Sequence, residues 1–326
     1  MLAAVTLLSA QGCAPDAPAD AATQASHSVS LAAARNIYQN YVKASGAAAV
    51  QGDQAQALSI VTSAQWSQVK SQYTALASEG NAVPRYTYGT PVFYVPGLSG
   101  FPQWFVVAVP RSTVSGGQPG PAVSTLMLFA RDKKTVNWTL SGTAVLSQPL
   151  PKIALDGGYA IPVSTVDQSL LLRPDVAGAT QAAVVDDGPS SPAAAVVGAG
   201  PQTTGLYASQ AAQAAAQQRK GLQYEWLLQG SPFPQVGLRL ADGGALVLYG
   251  VYLNTTNEHP NLVAGSPIPV PDAVAPILTT PGQVGYHAVF ANWAYQFAAI
   301  DPLATARGAK LQIIGWQSGP SYGRAY

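Results

Sequence analysis

Twice along this chain the spacing of large apolar residues switches from helical to alternating, and no other feature limits the fold as much. Over residues 31–42, Leu31, Ala34, Tyr38 and Tyr41 recur on one face, with Ile37 and Val42 beside them. Ser28 or Ser30 can cap that helix. A second helical region, 53–77, repeats Leu58, Val61, Val69, Tyr73 and Leu76. The period then drops to two, and strands rich in Val, Phe, Trp and Tyr are expected at 86–95, 103–109, 124–130 and 135–146. Turn chemistry at 116–121 and 131–134 separates the later ones. The second half repeats the order. Ala-rich helices are expected at 175–185 and 205–228, then strands at 236–240, 245–253, 285–299 and 309–316, with Asp242-Gly243-Gly244 as a hairpin signal. Corresponding segments of the halves lie about 141 residues apart, as a duplication would place them. Helices followed by a run of antiparallel strands read as α+β. The expected fold is two tandem units, each with N-terminal helices packed on a curved antiparallel sheet.

Residues 147–169, punctuated by Pro149, Pro151, Gly157, Gly158 and Pro162, mark the boundary between the units. The expected division is a first domain at 30–150, a linker at 151–169 and a second domain at 170–326. A Pro/Gly/Ala-rich stretch at 186–201 reads as a surface loop of the second unit.

The N-terminus reads as an address. Residues 2–10 form an apolar run that suits a signal-peptide core and is too short to span a bilayer. Leu8-Ser9-Ala10-Gln11-Gly12-Cys13 has the form of a bacterial lipobox, in which the Cys becomes lipidated and starts the mature chain. Ala10 stands where Leu is usual, Gln11 is bulky, and the first basic residue is Arg35. The missing basic region is read as a start placed downstream of the true one. Residues 1–13 are therefore expected as the signal segment and Cys13 as the lipidation site. The Ala, Pro, Asp, Thr, Gln and Ser-rich residues 14–29 are expected to be a flexible tether carrying a solvated His27. Acyl chains contribute about 0.8 kcal/mol per buried methylene, so two or three hold a protein at a membrane.

The chain carries only 16 Lys+Arg and 15 Asp+Glu, 10% of its residues, against about 25% in ordinary soluble domains. The net charge of +1 leaves no electrostatic footprint for nucleic acid. A single Cys excludes an internal disulfide framework, and three His make a His-rich metal site improbable. No metal and no cofactor are expected. Phosphate loops, the His-Glu-x-x-His pattern and the Gly-x-Ser-x-Gly elbow with its triad partners are absent.

The helix-then-sheet order, the lipobox and the string Pro151-Lys152-Ile153-Ala154-Leu155-Asp156-Gly157-Gly158-Tyr159 together resemble actinobacterial secreted lipoproteins of unknown function. Those proteins carry two tandem cystatin-like, nuclear-transport-factor-2-like domains. The resemblance covers roughly residues 30–326. It implies that fold and an extracytoplasmic, membrane-anchored location, and it implies no activity.

A curved sheet covered by helices can enclose a conical pocket, and related folds use one for isomerase or dehydratase chemistry. In the second unit the candidate groups are Tyr286, His287, Trp293, Tyr295 and Asp301. Alternation puts His287 on the face of Val289 and Ala291, opposite Tyr286 and Phe290, and a buried His beside a Tyr can act as a general base. Asp301-Pro302 reads as a turn start at a sheet rim. In the first unit Tyr94, Trp104, Phe105 and Trp138 line either a pocket or an ordinary core, and the core is favoured. Asp53, Glu79 and Asp132 fall at helix starts, loops or turns and form no acid/base pair.

These readings favour a non-enzymatic envelope lipoprotein. Its expected partners are the membrane through Cys13 and an envelope protein, a hydrophobic ligand or a cell-wall component. An enzyme using His287 and Tyr286, and a structural subunit of a membrane complex, are the alternatives.

Overall fold

A computed structural model describes residues 29–326, apart from Gly116, Pro232 and Val263. Cys13, His27 and the signal segment lie outside the described residues. The chain begins with α1 (Leu31–Gln51), α2 (Gln54–Ser59) and α3 (Ser63–Glu79). Ser30 caps α1 by accepting from the Ala33 N–H at 3.1 Å, and Asp53 caps α2 by accepting from the Gln56 N–H at 2.9 Å. The single helix expected over 53–77 is broken. Ile60, Val61 and Thr62 form a β-branched run that favours extended backbone. They exchange hydrogen bonds with Leu140, from the Thr62 N–H at 2.9 Å and to the Ile60 carbonyl at 3.0 Å.

The first strands are β1 (Arg85–Tyr88), β2 (Val92–Tyr94), β3 (Gln103–Ser115), β4 (Gln118–Pro119), β5 (Val123–Arg131) and β6 (Thr139–Leu146). The strand expected over 86–95 is interrupted between Tyr88 and Val92, and both pieces pair with β3. Next come β7 (Leu155–Asp156), β8 (Tyr159–Ala160), β9 (Pro162–Val163), α4 (Pro174–Asp187) and α5 (Thr204–Gln218). The last strands are β10 (Gln223–Gly230), β11 (Val236–Arg239), β12 (Ala245–Glu258), β13 (Ala288–Asp301) and β14 (Gln312–Ala325). Residues 223–228, expected to continue a helix, are strand. Gly221 takes φ +76°, a left-handed conformation that ends the helical turn, and the burial alternation beyond it is that of β10.

The fold is α+β, built on one large antiparallel sheet. Its strand order is β1-β3-β5-β6-β14-β13-β12-β11-β9, with β2 and β4 also on β3 and β10 also on β12. In each half a broken first strand pairs with a long second strand, and two more strands follow. The halves meet where their last strands, β6 and β14, pair through Val145–Trp316 and Leu146–Gly315.

One face of this sheet builds a core shared by both halves, including Trp104, Val106, Leu126 and Leu128 from the first and Leu238, Leu246, Leu248 and Ala298 from the second. The opposite face carries the helices. There Tyr38 of α1 packs with Phe105, Val107, Met127 and Phe129, and Ala177, Val184, Val185 and Leu206 of α4 and α5 pack with Val247, Tyr249, Val251 and Phe297. Alternation along β3, β5, β12 and β13 supplies both faces at once. The stretch expected as a linker is tied to both far edges of the sheet. The Ala160 N–H donates to the Val95 carbonyl at 2.9 Å, the Ala154 N–H donates to the Arg239 carbonyl at 2.8 Å, and β9 pairs with β11. The sheet therefore curls until its outer edges meet across residues 154–163.

A buried amide lattice crosses the seam between the halves. Gln296 of β13 donates to Gln68 of α3 at 2.8 Å and accepts from the Thr143 N–H of β6 at 2.5 Å. Gln68 donates to the Ala294 carbonyl at 2.9 Å and accepts from Gln317 of β14 at 3.2 Å. Each buried amide finds partners on the other half, as a low-dielectric interior requires.

Candidate functional site

A groove of about 310 Å³ lies between α5 and the sheet of the second half. It assembles from three periodicities. On α5, Gln210, Gln213 and Gln217 follow helical spacing on one face, so all three amides line it. On β12, Leu253, Thr255 and Asn257 alternate toward it, and on β13 so do Val289, Ala291, Trp293 and Tyr295. The register sets Leu253 opposite Trp293, Thr255 opposite Ala291 and Asn257 opposite Val289. Tyr224 of β10 closes one side and Pro269 and Pro271 another.

The groove is polar, aromatic and uncharged: among the described residues that line it there is no carboxylate, His, Lys or Arg. Tyr224 donates to Gln210 Oε1 at 2.7 Å. Burial pushes the Tyr224 phenol up to about 12, partly opposed by a hydrogen bond with Thr255. Burial also raises Tyr295, opposed by Ser318. Both phenols thus stay protonated near neutral pH and serve as hydrogen-bonding groups. Two acceptors are left without a partner: Gln217 Oε1 and Asn257 Oδ1, on residues only 6% and 8% exposed. A buried acceptor without a donor costs about 1–3 kcal/mol.

Of the residues singled out from the sequence, Trp293 and Tyr295 line this groove, while Tyr286 and His287 do not. Tyr286 is 48% exposed. His287 sits in a bend just before β13, not in the strand itself. Its N–H donates to the Tyr326 carbonyl at 2.7 Å, and its carbonyl accepts from the His259 N–H at 2.9 Å. Asp301 is not at a rim but fully buried at the end of β13. In the first half Tyr94 packs on the shared core. Trp138 packs on Phe105 at 5.3 Å, with the Arg131 guanidinium 4.9 Å over its ring. Trp104 is a core residue that also borders an open cleft of about 1040 Å³ between the halves. The glutamines that frame the groove carry no sequence signal, since Gln is ordinary on an exposed helix face. Their helical spacing acquires meaning only once α5 lies over the sheet.

Among the described residues no three His, Cys, Asp or Glu cluster to hold a metal. No described helix is long and apolar enough to cross a membrane.

The chain matches the family described as "Domain of unknown function (DUF8094)" over residues 25–319. An uncharacterized lipoprotein of Streptomyces avermitilis is 29% identical over 187 residues, 53% of this chain and 52% of that protein. The chain thus spans about half the length of the curated relative it matches. No solved structure matches.

Proposed function

We propose that this chain, which belongs to the DUF8094 family, is a lipid-anchored extracytoplasmic binding module. In this reading its α5 groove takes a neutral, hydroxyl-rich ligand of the cell envelope, such as a glycan of the cell wall. The carrying observation is an uncharged groove that sets Trp293 and Tyr295 beside the amides of Gln210, Gln213, Gln217 and Asn257, two of which keep an acceptor oxygen without a partner. A sugar supplies hydroxyls to amide side chains and a flat C–H face to an aromatic ring, and it brings no charge to be compensated. A purely hydrophobic ligand would leave the groove's amides without partners. Acid–base chemistry would need a group that titrates near neutrality, and the phenols here are held protonated.

Anchoring is supported by Cys13 within its lipobox and by the name of the Streptomyces relative. The repeated helix-then-strand plan supports reading each half as a nuclear-transport-factor-2-like unit.

Titrating the full chain with an N-acetylglucosamine tetramer, followed by tryptophan fluorescence, tests the groove. A saturable change is expected, weakened about tenfold or more in Trp293→Ala. No saturable change, or an equal response in the variant, would overturn the reading. In the host, Cys13→Ser is expected to move the protein out of the membrane fraction, and retention there would overturn the anchor.

A further inference from the structure

A second pocket lies among the helices of the first half, with Gln317 of β14 in its wall, and its chemistry differs from that of the α5 groove. On α3, Gln65, Gln68 and Gln72 line it at the spacing shown by Gln210, Gln213 and Gln217 on α5. Tyr86 and Tyr88 of β1 stand where Tyr224 of β10 stands in the second half, each on the first strand after the helices. The difference in charge comes from the long second strand. Arg111 of β3 enters the first pocket, whereas Thr255 and Asn257 of β12 enter the second.

A guanidinium is charged at every accessible pH, and taking it from water without an acceptor is costly. Arg111 lies 4.8 Å over the Tyr86 ring and donates from Nη2 to Gln317 Oε1 at 3.3 Å, a long contact. Its Nε is buried and has no hydrogen-bond partner. No Asp or Glu is among the described residues lining the pocket. The nearby amide oxygens are committed elsewhere, Gln68 Oε1 to Gln296 and Gln317, and Gln65 Oε1 to Thr143 and Gln296. Tyr41 and Tyr88 also line the pocket, both phenols raised chiefly by burial, Tyr41 to about 12 against an opposing hydrogen bond with Ser45, so both stay protonated. The space is about 70 Å³, where one water needs about 10–15 Å³.

We infer that the pocket under α1 and α3 is an anion site that takes a small carboxylate on Arg111, with the hydroxyl of Tyr88 as a further donor. A guanidinium is the side chain whose planar array of donors matches a carboxylate, and Arg111 is the one cation among the described residues lining the pocket. The volume admits an acetate-sized group or the carboxylate end of a larger molecule. The site is separate from the α5 groove and stands or falls independently of the glycan reading.

The test uses the full chain with acetate, inorganic phosphate and chloride at equal ionic strength, following the thermal unfolding midpoint. Acetate is expected to raise it saturably above chloride. Arg111→Gln is expected to weaken that response about tenfold or more, while Arg131→Gln, outside the pocket, keeps it. If Arg111→Gln does not fold, Tyr88→Phe removes one donor with little change in shape and is expected to weaken the acetate response severalfold. No acetate effect beyond chloride, or an unchanged response in the pocket variants, overturns the site. A response to phosphate without one to acetate overturns the carboxylate assignment.

Discussion

A carboxyl group removed from water stays neutral unless a partner charges it, and Asp301 is in that position. Its Oδ1 accepts from the Leu172 N–H at 3.3 Å, while its Oδ2 is buried without a partner. Burial, opposed by the Leu172 hydrogen bond and aided by the like charge of Asp167, pushes it from 3.8 up to about 7. A folded-state value above the unfolded one gives stability that is full below the unfolded pKa and lost as pH rises toward the folded one. Thermal unfolding of the wild type is thus expected to shift to lower temperature between about pH 4 and pH 7. Asp301→Asn, which keeps an acceptor for Leu172, is expected to lack that fall, and an unchanged slope would refute it. Sequence context suggested a turn-initiating Asp, because Asp-Pro is turn chemistry. That context is blind to the segment at Leu172, more than a hundred residues earlier, which covers it. The same limit applies to the sites. Trp293 and Tyr295 were legible as large groups on an alternating strand, whereas Gln217, Asn257 and Arg111 stand out only for what surrounds them.

At the level of elements, most boundaries follow from local rules. Ser30 and Asp53 cap where capping residues are expected, and Asp242-Gly243-Gly244 makes the turn between β11 and β12, with Gly243 at φ +91°. Departures occur where the local signal is double-edged. Residues 205–228 hold enough Ala, Gln and Leu to read as one helix. Yet Gly221 breaks it, and beyond that point Trp226 and Leu228 turn toward the second-half core while Glu225 and Leu227 stay exposed. Gly221 has open space around its Cβ position, so Gly221→Ala meets no clash and tests backbone conformation alone. It is expected to destabilise by about 1–2 kcal/mol, the cost of a left-handed conformation for an L-residue. Urea unfolding measures it, and a change below about 0.3 kcal/mol would mean that the turn tolerates a Cβ.

At the scale of the molecule the two halves are joined too closely to behave as beads on a string. They share one core face, one sheet and the Gln65–Gln68–Gln296–Gln317 lattice. Urea unfolding followed by circular dichroism and by tryptophan fluorescence is therefore expected to give one coincident transition. Gln296→Ala strands the Thr143 N–H and removes donors to two other glutamines, and is expected to lower stability by about 2–3 kcal/mol without splitting the transition. Two separated transitions would contradict the shared core. The order of helices and strands and the repeat of that order are carried by neighbours in the chain, so spacing and residue type were enough to read them. The joining of β6 to β14, the closure of the curled sheet by residues 154–163, the burial of Asp301 and the two unlike pockets were not readable in that way. Each depends on contacts between residues far apart in sequence, and the free energy that selects such contacts belongs to the packed whole rather than to any local stretch.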